Sequence, residues 1–314
     1  MVYQILKEYG VKGGRMDQHF LTDAAVLDEI IDAAQLEPSD IVLEIGGGIG
    51  NLSERIAPRV SELIIIELDP QMVRILKSRL SVYENIKIIS GNVMDVDLSE
   101  LPFNKIVANL PYSISSDVTL KFLQRDFDRA VLMYQYEFAR RLTAEPGGKE
   151  YGRLSVHVRY KTDASMILKV PKSAFEPAPK VDSAVISLIP RQVSYPVDDK
   201  SFFFEVTKAL FSQRRKKIKN TLLGSSLNAS MPNLKELLER LSGQPFAADG
   251  VSVPLLEKTA GDILSMRAEE LSPADIARFS NLLYRQNGAI GPDSLFQDAR
   301  YSKNPNEGTD SHES

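Results

Sequence analysis

Apolar residues in this chain follow two rhythms. Through the first 190 positions, short unbroken aliphatic runs alternate with stretches in which apolar residues recur every three or four positions. The runs Ile41–Ile45, Leu63–Glu67, Ile86–Ser90, Lys105–Asn109, Ala130–Tyr134, Ser155–Arg159, Ser165–Val170 and Val185–Ile189 read as strands. Helices are predicted after Thr22 or Asp23, either of which can cap a segment burying Val26, Leu27, Ile30 and Ile31. Further helices are predicted from Asn51, from Asp69-Pro70 to about Leu80, and from Gln135 to Thr143. This alternation predicts an α/β fold with a doubly wound, mostly parallel sheet. Past Pro190 the rhythm changes, and Ser201 to Gln286 reads as amphipathic helices joined by Gly, Pro and Ser turns. From Asn287 onward Gly, Pro, Ser, Asn and Asp dominate. The expected organisation is a sheet domain at 1–190, a small all-helical domain at 191–286 and a disordered tail at 287–314.

Composition narrows the chemistry. The formal charge of −4 over 314 residues means that any nucleic-acid contact must come from a local patch. Cysteine is absent, which excludes disulfides, cysteine zinc sites and a thiol nucleophile. The three histidines are His19, His157 and His312, and none accompanies a nucleophile motif, so Ser-His-Asp chemistry and a His-rich metal site are not expected. His157, inside a predicted strand, reads as a satisfied core histidine. Met1–Gly14 is mixed and charged, and no run is long enough to span a bilayer, so a soluble cytoplasmic protein is expected.

Four candidate groups fall at the carboxyl ends of predicted strands, where doubly wound sheets bind ligands. Gly46-Gly47-Gly48-Ile49-Gly50 allows close backbone approach. Glu67 stands about 20 residues further on, the spacing of a carboxylate that meets ribose hydroxyls. Asn92 follows the third strand. Asn109-Leu110-Pro111-Tyr112 ends the fourth, placing acceptors beside an aromatic face, which suits a nucleobase carrying an exocyclic amine. The same stretch also reads as a strand ending in an ordinary proline turn. A dehydrogenase would share the glycines and Glu67, but nothing downstream supplies a hydride-transfer acid or base.

Asn-Leu-Pro-Tyr resembles the signature of methyltransferases acting on exocyclic amines of nucleobases. Asp17-Gln-His-Phe-Leu, Glu44-Ile-Gly-Gly-Gly-Ile-Gly, Ile66-Glu-Leu-Asp, Tyr151-Gly-Arg-Leu-Ser, Ser173-Ala-Phe-Glu-Pro-Ala-Pro-Lys-Val-Asp-Ser and Phe211-Ser-Gln-Arg-Arg-Lys-Lys extend the likeness, in order and separation. Together they resemble the ribosomal RNA small-subunit adenine dimethyltransferases (KsgA-like), covering the chain to about residue 286. Met133-Tyr-Gln-Tyr-Glu-Phe-Ala-Arg-Arg-Leu looks closer to archaeal members than to bacterial ones.

The resemblance implies a Rossmann-like class I methyltransferase using S-adenosylmethionine. It places His19, Leu21, Gly46 and Gly48 beside the methionine moiety, Glu67 on the ribose and Asn109 at the methyl-transfer centre. Asn92 stands where the family has an aspartate that accepts from the cofactor's adenine amine, so its contact is expected to be weaker, with Asp95 a possible substitute. Asn109 and the Leu110 carbonyl would hold the amine, Pro111 would set the turn, Tyr112 would stack on the base, and Phe175 would form a second wall. Without the resemblance, Phe175 reads better as a core aromatic. Arg214, Arg215, Lys216 and Lys217, on a presumed helix, would contact RNA phosphates, although such a run alone is usually a solvated face. The expected partner is small-subunit rRNA within a pre-small ribosomal subunit, the chain acting as a monomer. A large-subunit rRNA methyltransferase of the antibiotic-resistance type and a non-catalytic assembly factor stay open as rivals.

Overall fold

The computed structural model describes residues 2–11, 18–192, 195–244 and 259–288. The expected tail at 287–314 therefore lies outside the described residues from position 289 on. The sheet portion runs α1 (Val2–Glu8), β1 (Phe20–Leu21), α2 (Ala24–Ala34), β2 (Ile41–Ile45), α3 (Ser53–Ile56), β3 (Glu62–Glu67), α4 (Pro70–Arg79), β4 (Ile86–Ser90), β5 (Lys105–Asn109) and α5 (Ser115–Phe122). It continues with β6 (Arg129–Gln135), α6 (Tyr136–Leu142), α7 (Arg153–Lys161), β7 (Thr162–Val170), β8 (Phe175–Glu176) and β9 (Ser183–Pro190). Then come α8 (Lys200–Leu210), α9 (Ile218–Leu223), α10 (Ser226–Ser230), α11 (Leu234–Leu241), α12 (Ala260–Ser265) and α13 (Pro273–Gly288).

One sheet has the order β4-β3-β2-β5-β6-β9-β7, parallel throughout except that β9 runs antiparallel to both β6 and β7 among the described residues. The continuous apolar runs follow from helices covering both faces. Leu43, Ile45, Ile64, Ile66 and Ile106 enter one core, while Val42, Leu63, Ile65 and Val107 enter the other. The chain reverses its winding between β2 and β5, so the crevice for a ligand opens at their carboxyl ends. Asp23, rather than Thr22, caps α2, accepting from the backbone N–H groups of Ala25 and Val26.

Residues 155–159, expected as a strand, are helical within α7. Ser-Val-His-Val-Arg alternates as a strand would, but the helix is buried on two sides. Val156 packs into the C-terminal helical core and Val158 into the sheet core, so no single apolar stripe marks it. Ser155 starts the helix by accepting from the Gly152 backbone N–H and donating to the Arg141 carbonyl. Tyr151 joins the same helical core as α8–α13, so packing crosses the sequence boundary expected at residue 190.

Candidate active site

A cavity of about 330 Å³ opens at the ends of β2, β3, β4 and β5, closed on one side by the segment 18–21. Gly46, at φ 77°, takes the left-handed turn that ends β2, and a Cβ there would sit 3.4 Å from Cδ of Pro111. The glycine turn thus nests against the Asn109–Pro111 turn. Gly48, at φ 54°, turns its N–H onto Oε2 of Glu67 at 2.9 Å. Asn51 anchors the opposite wall by donating to the Leu21 carbonyl at 2.8 Å.

The cavity wall carries carboxylates and, among the described residues, no lysine or arginine. Glu67 is buried and also accepts from the Asp69 N–H at 2.9 Å; burial raises its carboxyl above the usual range against the pull of those two N–H donors. Glu44, 1% exposed, accepts from the Ser53 hydroxyl at 2.6 Å, and burial pushes its carboxyl up to about 8, helped by the nearby charge of Glu67. Leu68 also lines the cavity, 54% exposed although it follows a buried strand. Asn92 lines it too, with its side-chain oxygen accepting from the Met94 N–H at 3.0 Å. Asp95 is exposed and lies outside the lining.

At the mouth, the Asn109 amide N–H donates to the His19 carbonyl at 3.3 Å. A carbonyl can only accept, so this contact decides which end of the side chain faces His19 and turns the Asn109 oxygen elsewhere. Pro111 is extended at φ −57° and ψ 128°. Tyr112 is tethered through its hydroxyl to the Ser183 hydroxyl at 2.7 Å, and its ring lies 6.0 Å from that of His19 at 27°. His19 itself is fixed through Nδ1 to the Pro177 carbonyl at 2.8 Å. His19, Leu21, Gly46, Gly48, Glu67, Asn92, Asn109, Leu110, Pro111 and Tyr112 are thus brought together around one opening.

Other expected residues lie elsewhere. Phe175 is not in the lining: it pairs with Leu21 across the β1–β8 ribbon, and its ring is buried in the core behind it, 3% exposed. The ribbon turns that ring inward, so it forms no second wall of the opening. The basic run is not helical but forms the turn between α8 and α9, because consecutive charges offer no face to bury. Within it Arg215, Lys216 and Lys217 are exposed, whereas Arg214 reaches back to Glu269 at 3.3 Å. His157 is buried as expected but not satisfied, since neither ring nitrogen has a hydrogen-bond partner among the described residues. Two further lining residues, Glu44 and Leu68, carry no ligand-binding signature of their own in the sequence. Their signal was position alone, directly before the glycine turn and directly after the ribose-spaced acid.

The chain matches the ribosomal RNA adenine dimethylase family over residues 13–239. It is 48% identical over 281 residues to a probable ribosomal RNA small subunit methyltransferase A of Methanosarcina barkeri, covering 90% of this chain and 91% of that protein. Among solved structures it is similar to a dimethyladenosine transferase from Plasmodium falciparum, with a TM-score of 0.69 and 30% identity over 86% of this chain and 98% of that one. It is also similar to the 23S rRNA methyltransferase ErmE, with a TM-score of 0.56 and 25% identity over 84% and 99%. With this coverage and identity, the chain belongs to the ribosomal RNA adenine dimethylase family, whose members are S-adenosylmethionine-dependent rRNA methyltransferases.

Proposed function

We propose that this protein transfers methyl groups from S-adenosylmethionine to the exocyclic amines of two adjacent adenosines near the 3′ end of small-subunit rRNA, giving dimethyladenosines during ribosome biogenesis. The observation that carries this reading is the Asn109–Tyr112 turn, held open at the cavity mouth by the His19 carbonyl on one side and Ser183 on the other. The cavity suits the cofactor in charge and shape: an acid-lined wall without lysine or arginine among the described residues, and glycine backbone at the turn. Glu67 would take the ribose hydroxyls with the acceptor capacity its two backbone donors leave. Gly46, Gly48, His19 and Leu21 would flank the methionine moiety. Asn92 would face the adenine, its oxygen shared with the Met94 N–H, and Leu68 would cover the ring.

When bound, the cofactor supplies an electrophilic methyl group on a sulfonium. The protein's contribution is placement. An adenine amine is a poor nucleophile because its lone pair is delocalised into the ring. The Asn109 oxygen and the Leu110 carbonyl accept from its two N–H bonds and aim the nitrogen along the cavity, acting as fixed dipoles that need no reorganisation. Tyr112 stacks on the base, which must be single-stranded or flipped out to reach this depth. Arg215, Lys216 and Lys217 contact phosphates and position the RNA without reading its sequence; Arg214 anchors their turn to Glu269. The partner is rRNA within a pre-small ribosomal subunit, met by a monomer in the cytoplasm. Among the described residues no helix is long and apolar enough to cross a membrane. The large-subunit alternative is not favoured, because the curated relatives at this identity are named small-subunit methyltransferases.

The test is transfer of labelled methyl from S-adenosylmethionine to unmethylated small subunits, large subunits and naked rRNA, with nuclease mapping. Label recovered as dimethyladenosine near the 3′ end of small-subunit rRNA is the expected result. Label confined to the large subunit, or no label while the cofactor binds, would overturn the proposal.

A further inference from the structure

Glu44 is not used by the reading above, yet it is the most deeply buried ionisable group on the cavity wall, two positions before Gly46 and one strand away from Asn109. The groups around it leave its charge uncompensated. From α3 the Ser53 hydroxyl donates to it at 2.6 Å, the one hydrogen bond its side chain accepts among the described residues. From β3, Glu67 adds a charge of the same sign. The neighbouring guanidinium groups are engaged elsewhere: Arg79 of α4 pairs with Glu54 at 2.7 Å and donates to the Ile49 and Asn51 oxygens, and Arg55 pairs with Asp28 at 3.0 Å. His19, at the mouth, is held by the Pro177 carbonyl. A buried carboxylate needs a counter-charge, and among the described residues the wall offers none.

The cofactor and its product differ in this respect. S-adenosylmethionine carries a fixed positive sulfonium, and S-adenosylhomocysteine, left after transfer, has an uncharged thioether at the same place. We infer that Glu44 is the charge-selective residue of this cavity: its carboxylate favours the sulfonium cofactor over the thioether product and so promotes product exchange. The inference rests on the cavity being the cofactor site. Cofactor binding drives Glu44 to ionise, and loss of the sulfonium lets it take up a proton from solvent. Selectivity must therefore grow with pH, because the free carboxyl is ionised only above about 8.

The test is calorimetric titration of both ligands against the full chain from pH 6 to 9.5, for the wild type, Glu44→Gln and Ser53→Ala. The wild-type affinity ratio of cofactor to product should rise on the order of ten-fold as pH passes through the Glu44 range, the size of one charge–charge interaction across a medium of intermediate dielectric. Glu44→Gln, which keeps size and an acceptor oxygen, should lose that rise. The cofactor's own α-amine titrates in the same region and cancels in the comparison of wild type with variant. Ser53→Ala removes the one donor to the carboxylate and should move the rise to higher pH, a result that decides the matter even if Glu44→Gln fails to fold. A ratio with the same size and pH course in Glu44→Gln as in wild type, or an unmoved course in Ser53→Ala, overturns the inference. If Glu67→Ala leaves both affinities unchanged, the cofactor site itself has been misplaced, which is a separate failure.

Discussion

The strand ends and the seam between α7 and the C-terminal helices both bury polar groups, under opposite terms. At the strand ends Glu44, Glu67 and Asn109 each hold at least one protein partner and keep further hydrogen-bonding capacity on an open cavity. At the seam, both ring nitrogens of His157, the Tyr151 hydroxyl and Nε of Arg214 have no hydrogen-bond partner among the described residues. Aromatic rings close over the histidine and the tyrosine: Phe204 lies 4.1 Å from the His157 ring, and Phe211 lies 5.8 Å from that of Tyr151. The difference separates readiness for a ligand from tolerance in packing. A partnered group beside empty space can take on a ligand at little cost, whereas an unpartnered group behind aromatic walls is reached by nothing and only lowers stability.

The largest effect that can break this comparison is at Asn109. Asn109→Ala removes the acceptor aimed at the amine and should lower single-turnover methyl transfer on the order of a thousand-fold, with cofactor affinity nearly unchanged, because placed dipoles act on the transition state. Equal loss of both quantities would make Asn109 a cofactor-pocket residue. Next in size is the basic turn. Replacing Arg215, Lys216 and Lys217 together by alanine should weaken RNA binding roughly a hundred-fold at low salt and flatten its salt dependence by about two to three counterions. Arg214→Ala, by contrast, should leave the salt slope almost unchanged while lowering the melting temperature, since that side chain is spent on Glu269.

The smallest effect sharpens the other half. Burial pushes His157 down to about 3, so the folded state holds the ring neutral while the unfolded chain protonates near 6.5. The stability this contributes is fully present above about pH 6.5 and is lost as pH falls through the folded value. The loss should run at about 1.4 kcal/mol per pH unit, a ten-fold change in the unfolding equilibrium per unit. His157→Leu should remove that portion of the acid slope in chemical denaturation and leave methyl transfer unaltered.

What could be read from the sequence follows the same division. β2 and β5 lie where their apolar runs begin and end, because a strand buried on both faces writes its limits directly into residue type. The rim was legible because the groups end successive strands, and topology brings those ends together. The seam was not. α7 divides its apolar residues between two cores and so loses the period that marks a helix. The inward turn of Phe175 depends on pairing between β1 and β8, separated by more than 150 positions, which no local pattern records. The share of Arg214 taken by Glu269 is likewise a long-range contact between residues 55 apart, invisible in a run of like charges.

The most direct measurement of the central claim is a crystal structure of this chain with S-adenosylhomocysteine. The account predicts the ribose hydroxyls on Glu67, the adenine between Leu68 and Asn92, and the thioether sulfur facing the Asn109–Leu110 turn. A ligand seated outside this cavity, or a sulfur directed away from Asn109, would contradict it.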